Sequence, residues 1–180
     1  MAARNVLLTH DLKAKVADFG FSSRLYFEND GKTDGNQTVG ANQDKFPFQS
    51  SAYEILTDGT AILEKSDIWS FGILMWEVFY LGTALPYADK IPNELGKSAL
   101  VNSLKLGQRL EKPPLCPKHL YILMKQCWEL NPQVRPSFSF VKEKLLEFQS
   151  NQVQASNARN SDQEHSNQEN PNQEQSNQEQ

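Results

Sequence analysis

The chain has 180 residues with 22% charged side chains, which suits one domain with room for an extension. A formal charge of -4 gives no electrostatic case for nucleic acid as a partner. Two cysteines, Cys116 and Cys127, are too few for a disulfide framework and lack the spacing of a metal site. Both sit beside apolar residues, as reduced core thiols in a cytosolic setting do.

In chain order, Asn5-Val6-Leu7-Leu8 and Ala14-Lys15-Val16-Ala17 flank the polar residues 9–13, so a small β-hairpin is expected at the start. Residues 20–51 form a long polar stretch rich in Gly, Asn, Asp and Gln. A loop of that length inside a compact domain is usually functional or mobile. Ser66-Asp67 reads as an N-cap, followed by Ile68, Trp69, Phe71, Ile73, Leu74, Met75, Trp76, Val78 and Phe79. Apolar residues cover nearly every face there, which predicts a central, buried helix. Leu120, Leu123, Met124, Cys127 and Trp128 fall on one stripe of a second helix. A third begins after Arg135-Pro136-Ser137, with Phe138, Val141, Leu145 and Phe148 on one face. Near Gln149 the composition turns to Asn, Gln, Glu and Ser. The end is a five-residue repeat, Asp162-Gln163-Glu164-His165-Ser166, then 167–171, 172–176 and 177–180. With so little to bury, residues 150–180 are expected to be a disordered, solvated tail. No run of eighteen apolar residues and no signal-peptide pattern occurs, which points to a cytoplasmic chain as written.

The motifs come in a fixed order. Ala2-Ala3-Arg4-Asn5 is followed, thirteen positions after its Asn, by Asp18-Phe19-Gly20. Ala52-Tyr53-Glu54, Ser66-Asp67-Ile68-Trp69-Ser70-Phe71-Gly72 and Asn131-Pro132-Gln133-Val134-Arg135-Pro136 come later. Alone, Asp-Phe-Gly is a weak signal; at this spacing, with a hairpin between, it is a strong one. The set resembles the protein tyrosine kinase family over residues 1–148, in the A-A-R-N form of most receptor tyrosine kinases and several cytoplasmic ones. In the pattern H-R-D-L-A-A-R-N, Met1 fills the variable apolar place, and the Asp that accepts the substrate proton would stand just before it.

The resemblance implies a mainly α fold: the C-terminal lobe of a protein kinase over residues 1–149, with the short β-hairpin at its start. It implies ATP and Mg²⁺ as cofactors of the intact domain. Asp18 would hold Mg²⁺ between the phosphates, Asn5 would take a second ion, and Arg4 would lie beside a tyrosine of a protein substrate. Phe19 and Gly20 complete the metal loop, Asp67 would brace the catalytic loop, and Glu54 would pair with Arg135. Tyr26, the one tyrosine before Ala52-Tyr53-Glu54, is a possible phosphosite. The parent is expected to be a plasma-membrane receptor with this lobe on the cytosolic side.

Departures from the pattern are also present. Neither the Gly-rich loop nor the Val-Ala-Ile-Lys element is found, so the N-terminal lobe is missing and the chain is expected to be inactive alone. Gln49 and Ser50 stand where Lys or Arg and then Trp are usual, and Tyr53 replaces Pro. Around Phe19 and Val6 an apolar patch should be bare. A non-catalytic kinase-like module that binds another kinase or an adaptor, or a pseudokinase, therefore stands as the alternative.

Overall fold

A computed structural model describes residues 2–19, 48–58, 63–88, 91 and 96–168, with side chains in the last helix to residue 157. It is mostly helical with one two-stranded sheet. The elements are β1 (Val6–Leu8), β2 (Ala14–Val16), α1 (Tyr53–Thr57), α2 (Leu63–Phe79), α3 (Gly96–Lys105), α4 (Lys118–Cys127) and α5 (Phe138–Gln168). Short 3-10 turns cover Ala3–Asn5, Phe48–Ser50 and Pro132–Val134. The chain divides into two units, Met1–Phe138 and Ser139–Gln180.

β1 and β2 pair antiparallel, Val6 opposite Val16 and Leu8 opposite Ala14, as the two short apolar runs predict. The turn closes through Thr9 N–H to the Lys13 carbonyl at 3.0 Å and Leu12 N–H to the Thr9 carbonyl at 2.9 Å. Leu12 takes the left-handed conformation there, with φ 60°.

α2 is the central post of the first unit. Ile68, Trp69, Ile73, Leu74, Met75 and Trp76 are buried, and burial on several faces follows from the near-continuous apolar run. Val78 is the exception, 57% exposed at the helix end. α4 lays its predicted stripe inward: Leu120, Leu123, Met124 and Cys127, with Trp128 just beyond, are all buried. The two helices meet at Gly72. A Cβ there would stand 2.6 Å from Trp128 Nε1 and 2.8 Å from Cys127 Cβ, so only glycine permits the approach.

Two expectations change, and two helices enter that the sequence did not offer. Ser66-Asp67 is not the N-cap of α2, which already runs from Leu63. Leu63, Glu64 and Lys65 are adequate helix formers, and Ser66 turns its hydroxyl to Glu54. Secondly, α5 does not stop near Gln149 but continues to Gln168, against the expected disorder over residues 150–168. That stretch lacks apolar surface, but it also lacks Pro and Gly, and Gln, Ala, Arg and Glu support helix locally. Ser150 and Ser156 return their hydroxyls to the carbonyls of Leu146 and Gln152, four residues back. Residues 169–180 lie outside the described residues. Finally, α1 and α3 carry too little periodicity to be read in advance; α3 buries only Leu100 and Leu104.

Along α5, Val141 is buried while Phe138, Leu145 and Phe148 are half-buried. Among the described residues no helix is long and apolar enough to cross a membrane.

Candidate active site

The site begins in the turn Ala3–Asn5. Ala2 is buried at 3% exposure, and Asn5 N–H closes the turn on the Ala2 carbonyl at 3.0 Å. The chain then runs out through β1 and back through β2, and Ala17 N–H donates to the Asn5 carbonyl at 2.7 Å. The hairpin thus returns Asp18 to Asn5 across thirteen residues. Asn5 Nδ2 donates to Asp18 Oδ2 at 3.4 Å.

Asp18 is exposed and left-handed, with φ 59°. Asp tolerates that region better than most residues, and such strain concentrates at functional sites. Arg4, adjacent to Asn5, is exposed as well. The pair offers a carboxylate and an amide oxygen, hard donors of the kind a divalent cation such as Mg²⁺ takes, and few are needed because Mg²⁺ keeps several waters. The donor set fits the ion.

Phe19, next in the chain, is 68% exposed. The hairpin adds exposed Leu7, Leu8, Leu12 and Val16, with Leu8 and Val16 on one face and Leu7 on the other, so apolar side chains lie bare as expected, though Val6 is half-buried. Gly20 and Tyr26 lie outside the described residues.

The expected partner of Glu54 is in place. Arg135 grips it bidentately, Nη1 to Oε1 at 2.9 Å and Nη2 to Oε2 at 2.7 Å. The two side chains are 0% and 9% exposed. Burial alone would raise the Glu54 pKa; hydrogen bonds from Arg135 and Ser66 outweigh it and hold the carboxyl below its usual range. Ser66 Oγ donates to Oε1 at 2.6 Å. The guanidinium also donates to the carbonyls of Glu129 at 2.7 Å and Lys65 at 2.8 Å, and it lies 5.0 Å over the Trp69 ring. On the same ring sits Arg109, at 5.5 Å, held by the carbonyls of Trp128 and Leu104.

Gln49 is half-buried and Ser50 buried in the turn Phe48–Ser50. The Ser50 carbonyl accepts from Ser70 Oγ at 2.9 Å. Asp67 is exposed as a whole residue, yet partial desolvation of its carboxyl raises its pKa above the usual carboxylate value.

No motif marks Glu77. Its Oε2 accepts the Ala3 N–H at 2.8 Å. The available signal is chemical: Glu77 is the one charged side chain between Ile68 and Phe79, and a polar group in an apolar run is informative where a hydrophobic one is not.

The Asn5–Asp18 contact and the buried Glu54–Arg135 clasp are the arrangement expected of a kinase lobe. A family model described as "Protein tyrosine and serine/threonine kinase" matches residues 1–145, and the chain belongs to that family. It is 41% identical over 145 residues to the tyrosine-protein kinase receptor torso of Bombyx mori, covering 81% of this chain and 16% of that protein. To the tyrosine-protein kinase transforming protein Fps of avian sarcoma virus it is 40% identical over 146 residues, 81% of this chain and 25% of that one. Fibroblast growth factor receptor 1 of Xenopus laevis is 38% identical over 155 residues, 84% and 17%. The chain thus spans a quarter or less of the length of these relatives. They include tyrosine kinases named as receptors and others that are not, and the chain carries part of a tyrosine kinase domain. The family as a whole uses ATP and metal ions and acts on proteins.

Proposed function

We propose that this chain supplies the metal-binding and substrate-facing part of a domain that transfers phosphate from ATP to protein tyrosine. The observation that supports this reading best is the Asn5–Asp18 juxtaposition at 3.4 Å, with Asp18 in a strained conformation. Asp18 holds one Mg²⁺ at the phosphates and Asn5 a second. Held there, the ions would supply the positive charge that phosphoryl transfer needs. Arg4 lies toward the substrate tyrosine. Phe19 and Gly20 complete the metal loop, and Asp67 steadies the turn from α2.

The Glu54–Arg135 clasp anchors the end of the activation segment, of which Tyr26 is a candidate phosphosite. The exposed Leu8 and Val16, on one face of the hairpin, and the exposed Phe19 fit coverage by the domain's N-terminal lobe. Relatives named as receptors favour a receptor at the plasma membrane, with this lobe on the cytosolic side.

The test is phosphate incorporation into a tyrosine-containing polymer by the full-length natural product. Asp18→Ala and Asn5→Ala should each abolish it. A product that phosphorylates only serine or threonine, or an Asp18→Ala variant of unchanged activity, would refute the reading.

A further inference from the structure

Three polar side chains of α2 reach three separate segments of the site. Ser66 donates to Glu54 beside α1, Ser70 to the carbonyl of Ser50, and Glu77 accepts from Ala3. Their positions are 0, 4 and 11 along the helix. At 100° per residue they fall within an arc of about 40°. The helix that forms the core therefore also carries a polar seam, and each group on that seam fastens a different piece of chain.

Glu77 is the member of the seam nearest the chemistry. Ala3 opens a 3-10 turn, where the first N–H groups have no partner within the helix. Its N–H would otherwise be unpaired in a half-buried place. Arg4 and Asn5 are the next two residues, and Asn5 carries the contact to Asp18. The post beneath is stiff: Trp76, adjacent to Glu77, is buried and donates Nε1–H to the Glu111 carbonyl at 2.9 Å.

We propose that Glu77 is a positioning residue for the reaction. By holding the Ala3 N–H, it sets where the Arg4 and Asn5 side chains stand, and hence how well the Asn5–Asp18 pair takes a metal ion. This rests on the metal reading given above, yet it has a consequence that needs no metal. A charge-assisted hydrogen bond of this kind is shorter and stronger than a neutral one. Outer partners that orient metal ligands change affinity by about 10-fold or more when removed.

The test uses the whole chain, labelled with ¹⁵N, in three variants: Glu77→Ala, Glu77→Gln and Val78→Ala, the last being the exposed neighbour on the same helix. In metal-free buffer, Glu77→Ala should move the Ala3 amide and the Asn5 side-chain NH₂ signals while the remaining spectrum stays dispersed. Mn²⁺ is then titrated as the probe. Broadening at Asn5 and Asp18 should need about 10-fold more Mn²⁺ in Glu77→Ala. Glu77→Gln keeps an acceptor oxygen at the same reach and should recover most of the loss; Val78→Ala should match the parent. Unmoved Asn5 signals in Glu77→Ala overturn the proposal. A Glu77→Gln variant as impaired as Glu77→Ala also overturns it. Absence of Mn²⁺ broadening at Asp18 in the parent chain sinks the metal reading instead, and the metal-free Asn5 response then decides the role of Glu77 alone.

Discussion

Replacing Arg135 with alanine should produce the largest loss of stability of any single change at a polar residue here. The substitution strands the Glu54 carboxylate, 9% exposed, with Ser66 as its remaining side-chain donor among the described residues. It also leaves the carbonyls of Glu129 and Lys65 without the guanidinium that served them. Breaking one partner of a buried ion pair costs about 3–5 kcal/mol, a large share of the roughly 5–15 kcal/mol that holds a domain together. The first unit spans residues 1–138. At about 2.1 cal/mol/K per residue, its unfolding entropy converts that loss to a drop of roughly 10–17 °C in Tm. Thermal melts followed by circular dichroism measure it. The double change Glu54→Leu with Arg135→Met should cost less than Arg135→Ala alone, because no charge is left buried. The pH dependence has a definite sign. The folded Glu54 pKa is depressed, so its contribution is full above the usual glutamate range, about pH 4.3. It is lost as pH falls from there through the depressed folded value. Arg135→Ala should remove that part of the acid sensitivity. An Arg135→Ala chain that melts at the parent temperature would refute the reasoning.

Gly72→Ala should destabilise by about 1–3 kcal/mol, because the new Cβ meets buried Trp128 and Cys127 at under 3 Å; an unchanged urea midpoint would refute it. The thiols should resist labelling at pH 8. Burial pushes Cys127 up to about 12 and raises Cys116 as well, so a disulfide reagent should react slowly until urea is added, and rapid reaction of the folded chain would contradict the burial. A hydrophobic dye should bind the hairpin surface, and Leu8→Lys with Leu12→Lys should weaken it; equal binding by the variant would place the bare patch elsewhere.

The sequence carried the architecture where burial and periodicity agree. The stripe from Leu120 to Trp128 can only be one face of a helix, and the two short apolar runs around residues 9–13 can only pair. The Glu54–Arg135 clasp was legible through motif resemblance alone, since residues 81 positions apart leave no local trace of a contact. The start of α2 was not legible, because Ser66 has the chemistry of a cap and spends it on Glu54 instead. The extension of α5 was hidden for a different reason. Lack of apolar surface argues against packing, but the stretch is free of Pro and Gly and extends a helix already begun at Phe138, so it needs elongation and no new nucleus.

The polar seam of α2 shows how a pattern can be present and still escape notice. Within the largely apolar helix Leu63–Phe79, two serines and a glutamate look like interruptions of a buried helix. Their offsets of 4 and 11 place them on one face, which isolated surface positions would have no reason to share. Each then bonds a group on a different segment: the Glu54 carboxylate, the Ser50 carbonyl and the Ala3 N–H. Buried polar groups persist when they are paired, and pairing them to three segments from one rigid helix fixes those segments relative to each other. In the phosphoryl transfer proposed above, which depends on placing charge against phosphate oxygens, that fixing would contribute to rate. The central helix is thus both the core of the fold and the frame of the site.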